Sequence, residues 1–381
     1  MKKIHWFTHT NIVNRNYKDL EFDLTEFISV FIKNKLWDKP PYRTEYKQKF
    51  TKTNLEKLKS VKLIIHSEAA PFSNFHSYEA VIKKYVSITK IERAKLSASG
   101  ISDANRLCVI VAEFESDHKL ISNLKYKEEK DIEKVFENLT SENHEAWIEL
   151  KIIKAIICEF IQFFIFNLHL NFLTHQYTHS LIDKPELIGF TVTSENKKQF
   201  YETEKIELLS HYILYEKEKD NLTELMKNTS SFWCQNIPSI HFFLDALKGN
   251  YITSTNFIKL VFTIESFFGK GISNDYMTLV IPLLISDKVG EMTNTRQIIK
   301  RSFDLRNNIV HGNSIIDFLE HSRKGKNTSI KESGMDDLFF GLKNIITKIF
   351  YFYLDNKLYL KENGNKLSHE LIFSLFPKGL K

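Results

Sequence analysis

Residues 296–312 read RQIIKRSFDLRNNIVHG. At about 100° per residue, Ile299, Phe303 and Val310 share one helix face, with Ile298, Leu305 and Ile309 beside them, so the segment predicts a helix that buries a broad apolar stripe. Asp304, Asn307 and His311 stack on a different face at i, i+3 and i+7, which makes them neighbours in space. His311 stands in the last turn before Gly312, a residue suited to the left-handed position that closes a helix, so its ring is expected to project at a helix end. Arg306 is the unusual member, because the same wheel puts it inside the apolar stripe. An unpaired guanidinium there carries a penalty of several kcal/mol, so it must reach a carboxylate, a subunit interface or a bound phosphate.

Working outward, residues 256–269, NFIKLVFTIESFFG, form an apolar helix with Glu265 as its single acid. Glu265 is therefore the expected intramolecular partner of Arg306. Two readings stay open: a structural ion pair with His311 as a C-terminal cation favoured by the helix dipole, or a site that handles phosphate.

The same punctuation predicts five helices after Trp233. They are Ile240 to Leu247, entered at Pro238 and Ser239 and stopped at Gly249-Asn250; Phe257 to Phe268, capped by Thr255 or Asn256; Tyr276 to Ile285, preceded by Asp275 and interrupted at Pro282; a fourth opened by Thr293 or Asn294 and running to His311; and Met335 to Leu354. Together they make an all-α helical bundle domain over residues 236–381. Residues 1–235 read as an α+β domain of unrecognised type. Its strands are expected at 61–66 (VKLIIH), 107–114 (LCVIVAEF) and 187–192 (LIGFTV), its long helix at Trp147 to Leu173, and its polar connectors at 125–137 and 194–207.

Only 12 glycines and 7 prolines occur in 381 residues, which argues against a turn-dense all-β fold. The 3 cysteines are far apart and never paired as CxxC, so neither a disulfide framework nor a thiolate zinc site is indicated and a reducing cytoplasm is expected. A net charge of +6 allows a nucleic-acid partner without demonstrating one. Arginine is the scarce cation, 8 against 45 lysines, and Arg296, Arg301, Arg306 and Arg323 cluster near the C-terminus. Because a guanidinium is a rigid donor fork for phosphate or carboxylate, that clustering marks the region for chemistry. No apolar leader is visible at the N-terminus. The longest apolar stretch, Ile152 to Leu173, carries Lys154, Glu159, Gln162, Asn167 and His169, so a buried helix is expected rather than a membrane span. His175 and His179 have the spacing of a zinc pair but lack the glutamate between them, and no cofactor or metal is expected. Phe163, Phe164 and Phe166 read as core rather than as base-stacking rings.

Arg306-Asn307-Asn308-Ile309-Val310-His311 resembles the R-N-x3-H motif of HEPN-domain ribonucleases, the family named for nucleotide binding in higher eukaryotes and prokaryotes. The order NFIKLVFTIESFFG, PLLI, RSFDLRNNIVHG resembles the Apea-like subgroup of that family, over roughly residues 237 to 357. The resemblance implies an all-α HEPN bundle and metal-independent RNA cleavage, tRNA being one substrate, at a composite site where two motifs face each other in a homodimer. Arg306, Asn307 and His311 would then be catalytic, with Glu265 and Asp304 supporting and Arg301 and Asn308 contacting RNA. Asn313 stands where related toxins carry a tyrosine two residues after the histidine, so regulation by adenylylation there is not implied.

By analogy with prokaryotic abortive-infection and anti-phage effectors, the N-terminal domain would sense a phage-derived or nucleotide trigger. Two rivals accompany this reading: a non-catalytic HEPN module that binds RNA or protein, and a subunit of a larger defence or CRISPR-associated assembly.

Overall fold

The structure, a computed structural model, describes residues 2–9, 12–14, 18–39, 51–65, 107–116, 141–171, 187–193, 212–247, 252–269, 271–311, 335–360 and 366–375. Its contacts divide the chain into two compact units, Met1–Asn167 with Ser180–Ser230, and Leu168–His179 with Ser231–Lys381. The division at Ser230 lies inside a helix, Lys219–Gln235, rather than after it. The last turn of that helix carries Phe232 and Trp233, whose rings meet Phe350 and His241 of the second unit. The chain is thus an α+β unit and a helical unit.

The first unit is built on a five-stranded sheet in the order β3-β4-β5-β1-β6, with antiparallel neighbours throughout. The strands are β1 (Lys2–His9), β3 (Leu20–Asp23), β4 (Leu58–Ile65), β5 (Leu107–Phe114) and β6 (Leu187–Thr193). A short parallel pair, β2 (Ile12–Asn14) with β7 (Tyr212–Leu214), forms a second sheet, tied to β4 where Asn14 Nδ2 donates to the Ile65 carbonyl at 3.0 Å. The three strands expected from sequence are β4, β5 and β6. Cys108 to Ala112 and Phe114 of β5 are buried on both faces, which is why that strand reads as an unbroken apolar run. The shorter helices are α1 (Glu26–Lys33) and α2 (Lys52–Lys57).

The long helix is α3 (Ser141–Asn171). Phe22 of β3 and Phe27 and Phe31 of α1 meet its Phe160, Phe163 and Phe164 ring to ring, with centroids 4.8 to 5.0 Å apart in the closest three pairs. Phe163, Phe164 and Phe166 are wholly buried, as core residues. By length and composition Ile152–Asn171 could cross a bilayer, and 67% of it is buried inside the protein. Two buried polar clusters lie in this core. Glu149 takes Lys57 at 2.8 Å and the Ser116 hydroxyl, and the Thr229 hydroxyl donates to Asn167 Oδ1 at 2.6 Å.

The chain then runs through α4 (Lys219–Gln235) into α5 (Ile237–Ala246), α6 (Ser254–Ser266), α7 (Asn274–Ile285), α8 (Val289–Val310), α9 (Met335–Asp355) and α10 (His369–Leu375). Several helix starts differ from expectation. The cap of α6 is Thr253, whose hydroxyl accepts the Asn256 N–H at 3.1 Å. That of α7 is Ser273, which accepts the Tyr276 N–H at 3.2 Å. In both cases the capping oxygen serves the third residue of the helix, so the cap lies further upstream than the first apolar residue suggests. Helix α8 opens at Val289, not at Thr293 or Asn294; Val289 and Gly290 of its first turn are exposed, and Glu291 and Met292 half-buried. Pro282 does not interrupt α7. It lies in the last turn, where the lost hydrogen bond is offset by burial of Met277, Val280, Ile281 and the proline itself.

The helical core is aromatic. Phe350 of α9 touches Phe243 at 5.2 Å and Phe267 at 5.3 Å, and the Tyr353 hydroxyl donates to the Phe267 carbonyl at 2.8 Å. Helix α8 is held close to α9 at Gly341, where a Cβ would lie 3.0 Å from Ile298 Cδ1, and by an ion pair between Glu291 and Lys348. Gly249, Asn250, Lys270, Gly312, Asn313, Arg323, His175, His179 and the connectors 125–137 and 194–207 lie outside the described residues.

Candidate functional site

Helix α8 buries Ile299, Phe303 and Leu305, and there its apolar stripe ends. Val310, expected on the buried face, is 58% exposed, and Ile298 and Ile309 are half-buried. The wheel overextends the stripe because it records which residues share a face, not which of them a neighbour covers. Arg306 therefore stands where the stripe meets solvent, rather than in its middle.

The pair predicted from sequence is present. Arg306 Nη2 lies 3.1 Å from Glu265 Oε1 and 3.3 Å from Oε2, and the two side chains are 25% and 24% exposed. Both oxygens meet one nitrogen, so this is not the two-nitrogen fork that arginine makes in its strongest pairs. Nη1 donates to Asn307 Oδ1 at 2.9 Å, while the buried Nε has no hydrogen-bond partner among the described residues. The guanidinium carbon sits 5.7 Å from the centroid of the Phe262 ring, within cation–π range. Phe262 was not singled out by the sequence reading. Its signal is the i, i+3 spacing to Glu265, which puts ring and carboxylate on one side of α6. Burial pushes the Glu265 carboxyl up from its ordinary range, and Arg306 pulls against that shift without cancelling it.

Asp304, Asn307 and His311 are all exposed, as their shared face requires. His311 is the C-terminal cap of α8, its N–H donating to the Asn307 carbonyl at 3.0 Å. Asn308 Nδ2 donates to the Asp304 carbonyl at 2.8 Å, and Arg301 is half-buried more than one turn earlier. The structure thus ties Glu265, Arg306 and Asn307 together through side chains. His311 and Asp304 join them on the surface of the same helix end. Chemically, this places an exposed imidazole at the end of α8 and, in the turn before it, an exposed amide bonded to a guanidinium.

A second polar feature lies inside the helical unit. Lys343 of α9 is 4% exposed, and burial pushes its ammonium down to about 8. His169, 2% exposed, is held well below its ordinary value by burial and by the Lys343 charge. Its Nδ1 has no hydrogen-bond partner among the described residues, and its ring meets Phe243 edge-on at 5.9 Å. Among the described residues no three His, Cys, Asp or Glu side chains form a metal-binding group, and Cys108, Cys158 and Cys234 are not joined by a disulfide. No family model, no curated protein and no solved structure matches this chain.

Proposed function

We propose that the helical unit is a HEPN-type, metal-independent endoribonuclease centred on Arg306, Asn307 and His311. The observation that carries this reading is the end of α8, where Arg306 is paired with Glu265 and bonded to exposed Asn307, and where exposed His311 closes the same helix. Transesterification of RNA needs a base for the ribose 2′-OH, an acid for the departing 5′-oxygen and a cation for the phosphorane charge. Imidazole serves as base or acid at neutral pH. Arg306 faces the phosphorane charge, and Asn307, bonded to it, positions the phosphate. In a homodimer two such helix ends face each other, and the two His311 rings divide the acid and base roles. The products end in 2′,3′-cyclic phosphate and 5′-hydroxyl. In this reading Arg301 and Asn308 lie along the RNA path, tRNA being one candidate. The α+β unit selects the substrate or senses a phage-derived or nucleotide trigger, in the manner of an abortive-infection effector in the cytoplasm.

The engagement of Arg306 by Glu265 and Phe262 favours a second reading, in which the module binds RNA or a partner protein without cutting. Incubation of end-labelled tRNA and total RNA with wild type and His311→Ala, in EDTA and with product ends characterised, separates the two. Cleavage by wild type alone, with cyclic phosphate ends, is the expected result. Metal-dependent cleavage, or equal cleavage by both proteins, would overturn the ribonuclease reading.

A further inference from the structure

One row of side chains leads away from the guanidinium along the surface of the helical unit. Arg306 lies over Phe262, and Phe262 in turn meets Phe242 of α5 with centroids 6.1 Å apart at 64°. Phe242 is 41% exposed, in a unit whose other described phenylalanines on α5 and α6 are mostly buried. Lys259 stands on α6 at i−3 from Phe262, hence on the same side of the helix. Its ion pair with Asp245 is long, 3.8 Å, with side chains 32% and 41% exposed, a kind of contact worth little by itself. Two cations therefore flank two partly exposed rings.

From this arrangement we infer that Phe242 and Phe262 form a stacking platform for an unpaired nucleobase of RNA, with the adjoining backbone phosphates at Arg306 and Lys259. The inference rests on the reading of Arg306 as a phosphate-facing group and adds to it a substrate class, RNA that is single-stranded next to the phosphate to be cut. Alternating ring faces and cations suit a strand whose bases and phosphates alternate, because every base offers a π-face and every phosphate a charge. A duplex keeps its bases stacked on each other and cannot use the platform. The Phe262 ring, already under the guanidinium, is the inner step, and Phe242 is the outer step that the base reaches from solvent.

The test uses the full chain and a fluorescein-labelled, fully 2′-O-methylated single-stranded RNA, which lacks the attacking hydroxyl and so reports binding apart from cleavage. Fluorescence anisotropy is compared for wild type, Phe242→Leu and Phe242→Tyr, and for the same sequence annealed to its complement. Because Phe242 is partly exposed, the leucine variant keeps the α5–α6 contact, and its circular dichroism and melting curve check the fold. The expected result is that Phe242→Leu weakens single-strand binding by about tenfold, the loss typical of removing one stacking ring, while Phe242→Tyr stays within about threefold. A 2-aminopurine base placed in the RNA is quenched by wild type and less so by Phe242→Leu. Equal binding by wild type and Phe242→Leu, no binding of single-stranded RNA by wild type, or equal preference for duplex would each overturn the platform. So would a shift from dimer to monomer in Phe242→Leu by sedimentation, which would make this face a contact between copies of the chain. The two proposals fail separately. Ring-dependent binding without cleavage of unmodified RNA by wild type removes the nuclease reading and keeps the platform. His311-dependent cleavage with unchanged binding by Phe242→Leu does the reverse.

Discussion

Replacing Lys343 by methionine tests whether the helical unit carries a buried charge at a cost. The ammonium titrates near 8 in the fold against an ordinary 10.5, and burial is the cause. That gap corresponds to about 3 kcal/mol of preference for the neutral form, at about 1.4 kcal/mol for each tenfold change in proton affinity. Methionine keeps the length of the stem and removes the charge, so Lys343→Met is expected to raise stability at pH 7 by about 1–3 kcal/mol, less than the full gap because the contacts of the ammonium are lost too. The sign follows from proton counts. Between pH 8 and 10.5 the unfolded lysine holds a proton that the folded one has released, so wild-type stability gains with rising pH across that window. The advantage of Lys343→Met is therefore full below pH 8 and shrinks through the window at up to about 1.4 kcal/mol per pH unit. Burial also pushes the Cys108 thiol and the Tyr351 and Tyr353 phenols up, which lowers stability in alkali, but these groups are common to both proteins and cancel in the difference. Denaturant titrations of both proteins across this range, followed by helix circular dichroism, supply that difference. A constant difference from pH 7 to 10.5, or a variant less stable than wild type by more than about 1 kcal/mol at pH 7, would refute the reasoning and mark Lys343 as a well-paired cation.

Glu265→Gln leaves the Arg306 charge without its carboxylate and should lower stability by about 1–3 kcal/mol in thermal melts, below the value for a fully buried pair because both groups are partly solvated. The double variant Glu265→Met with Arg306→Met removes both charges and should recover to within about 1 kcal/mol of wild type. His311 is exposed at a helix end, so His311→Ala should stay within about 0.5 kcal/mol of wild type by the same melts while losing RNA cleavage. His169 is held neutral well below its ordinary value of 6.5, so as pH falls below 6.5 the unfolded state takes up a proton that the fold refuses and stability drops. Denaturant midpoints of His169→Phe should be less sensitive to acid than those of wild type; equal sensitivity would exclude His169 as the source.

What the sequence made legible depended on which force held each element. Strands β4, β5 and β6 could be read because a sheet core leaves dense apolar runs, and β5 reads correctly to the residue. Strands β1 and β2 could not, since KKIHWFTH mixes charge, histidine and aromatic residues with no clean alternation, and three residues of IVN are too few to show a period. The Arg306–Glu265 pair was readable because one guanidinium in an apolar stripe and one acid in an apolar helix must be reconciled. Val310 differs for a related reason: a helical wheel records which residues share a face, but not which of them the fold covers. Phe262 and Phe242 escaped notice because apolar rings on amphipathic helices look alike until their exposure is known. Lys343 escaped for the opposite reason, since a lone lysine in a long helix reads as surface.

The structural and catalytic readings of Arg306 compete less than they first suggest. Glu265 uses Nη2 alone, and Asn307 takes one proton of Nη1, so of the five guanidinium protons the second on Nη1 and the buried one on Nε are assigned to neither, and the one on Nη1 is the more open. A phosphate at that proton adds a second anion to a cation whose first partner is a half-buried carboxylate already pushed toward its neutral form by burial. The weaker the hold of Glu265, the more of the arginine charge is left for an incoming phosphate; the stronger its hold, the better the guanidinium is fixed in place over Phe262. A half-exposed pair lies between those limits. It costs less than a fully buried pair to assemble, yet it is ordered enough to keep the donor aimed before substrate arrives, which is what stabilising a developing charge requires. On that account Glu265→Gln should not simply abolish cleavage. It frees charge and loosens aim at once, and the two effects separate in KM and kcat, with tighter binding of RNA and slower turnover.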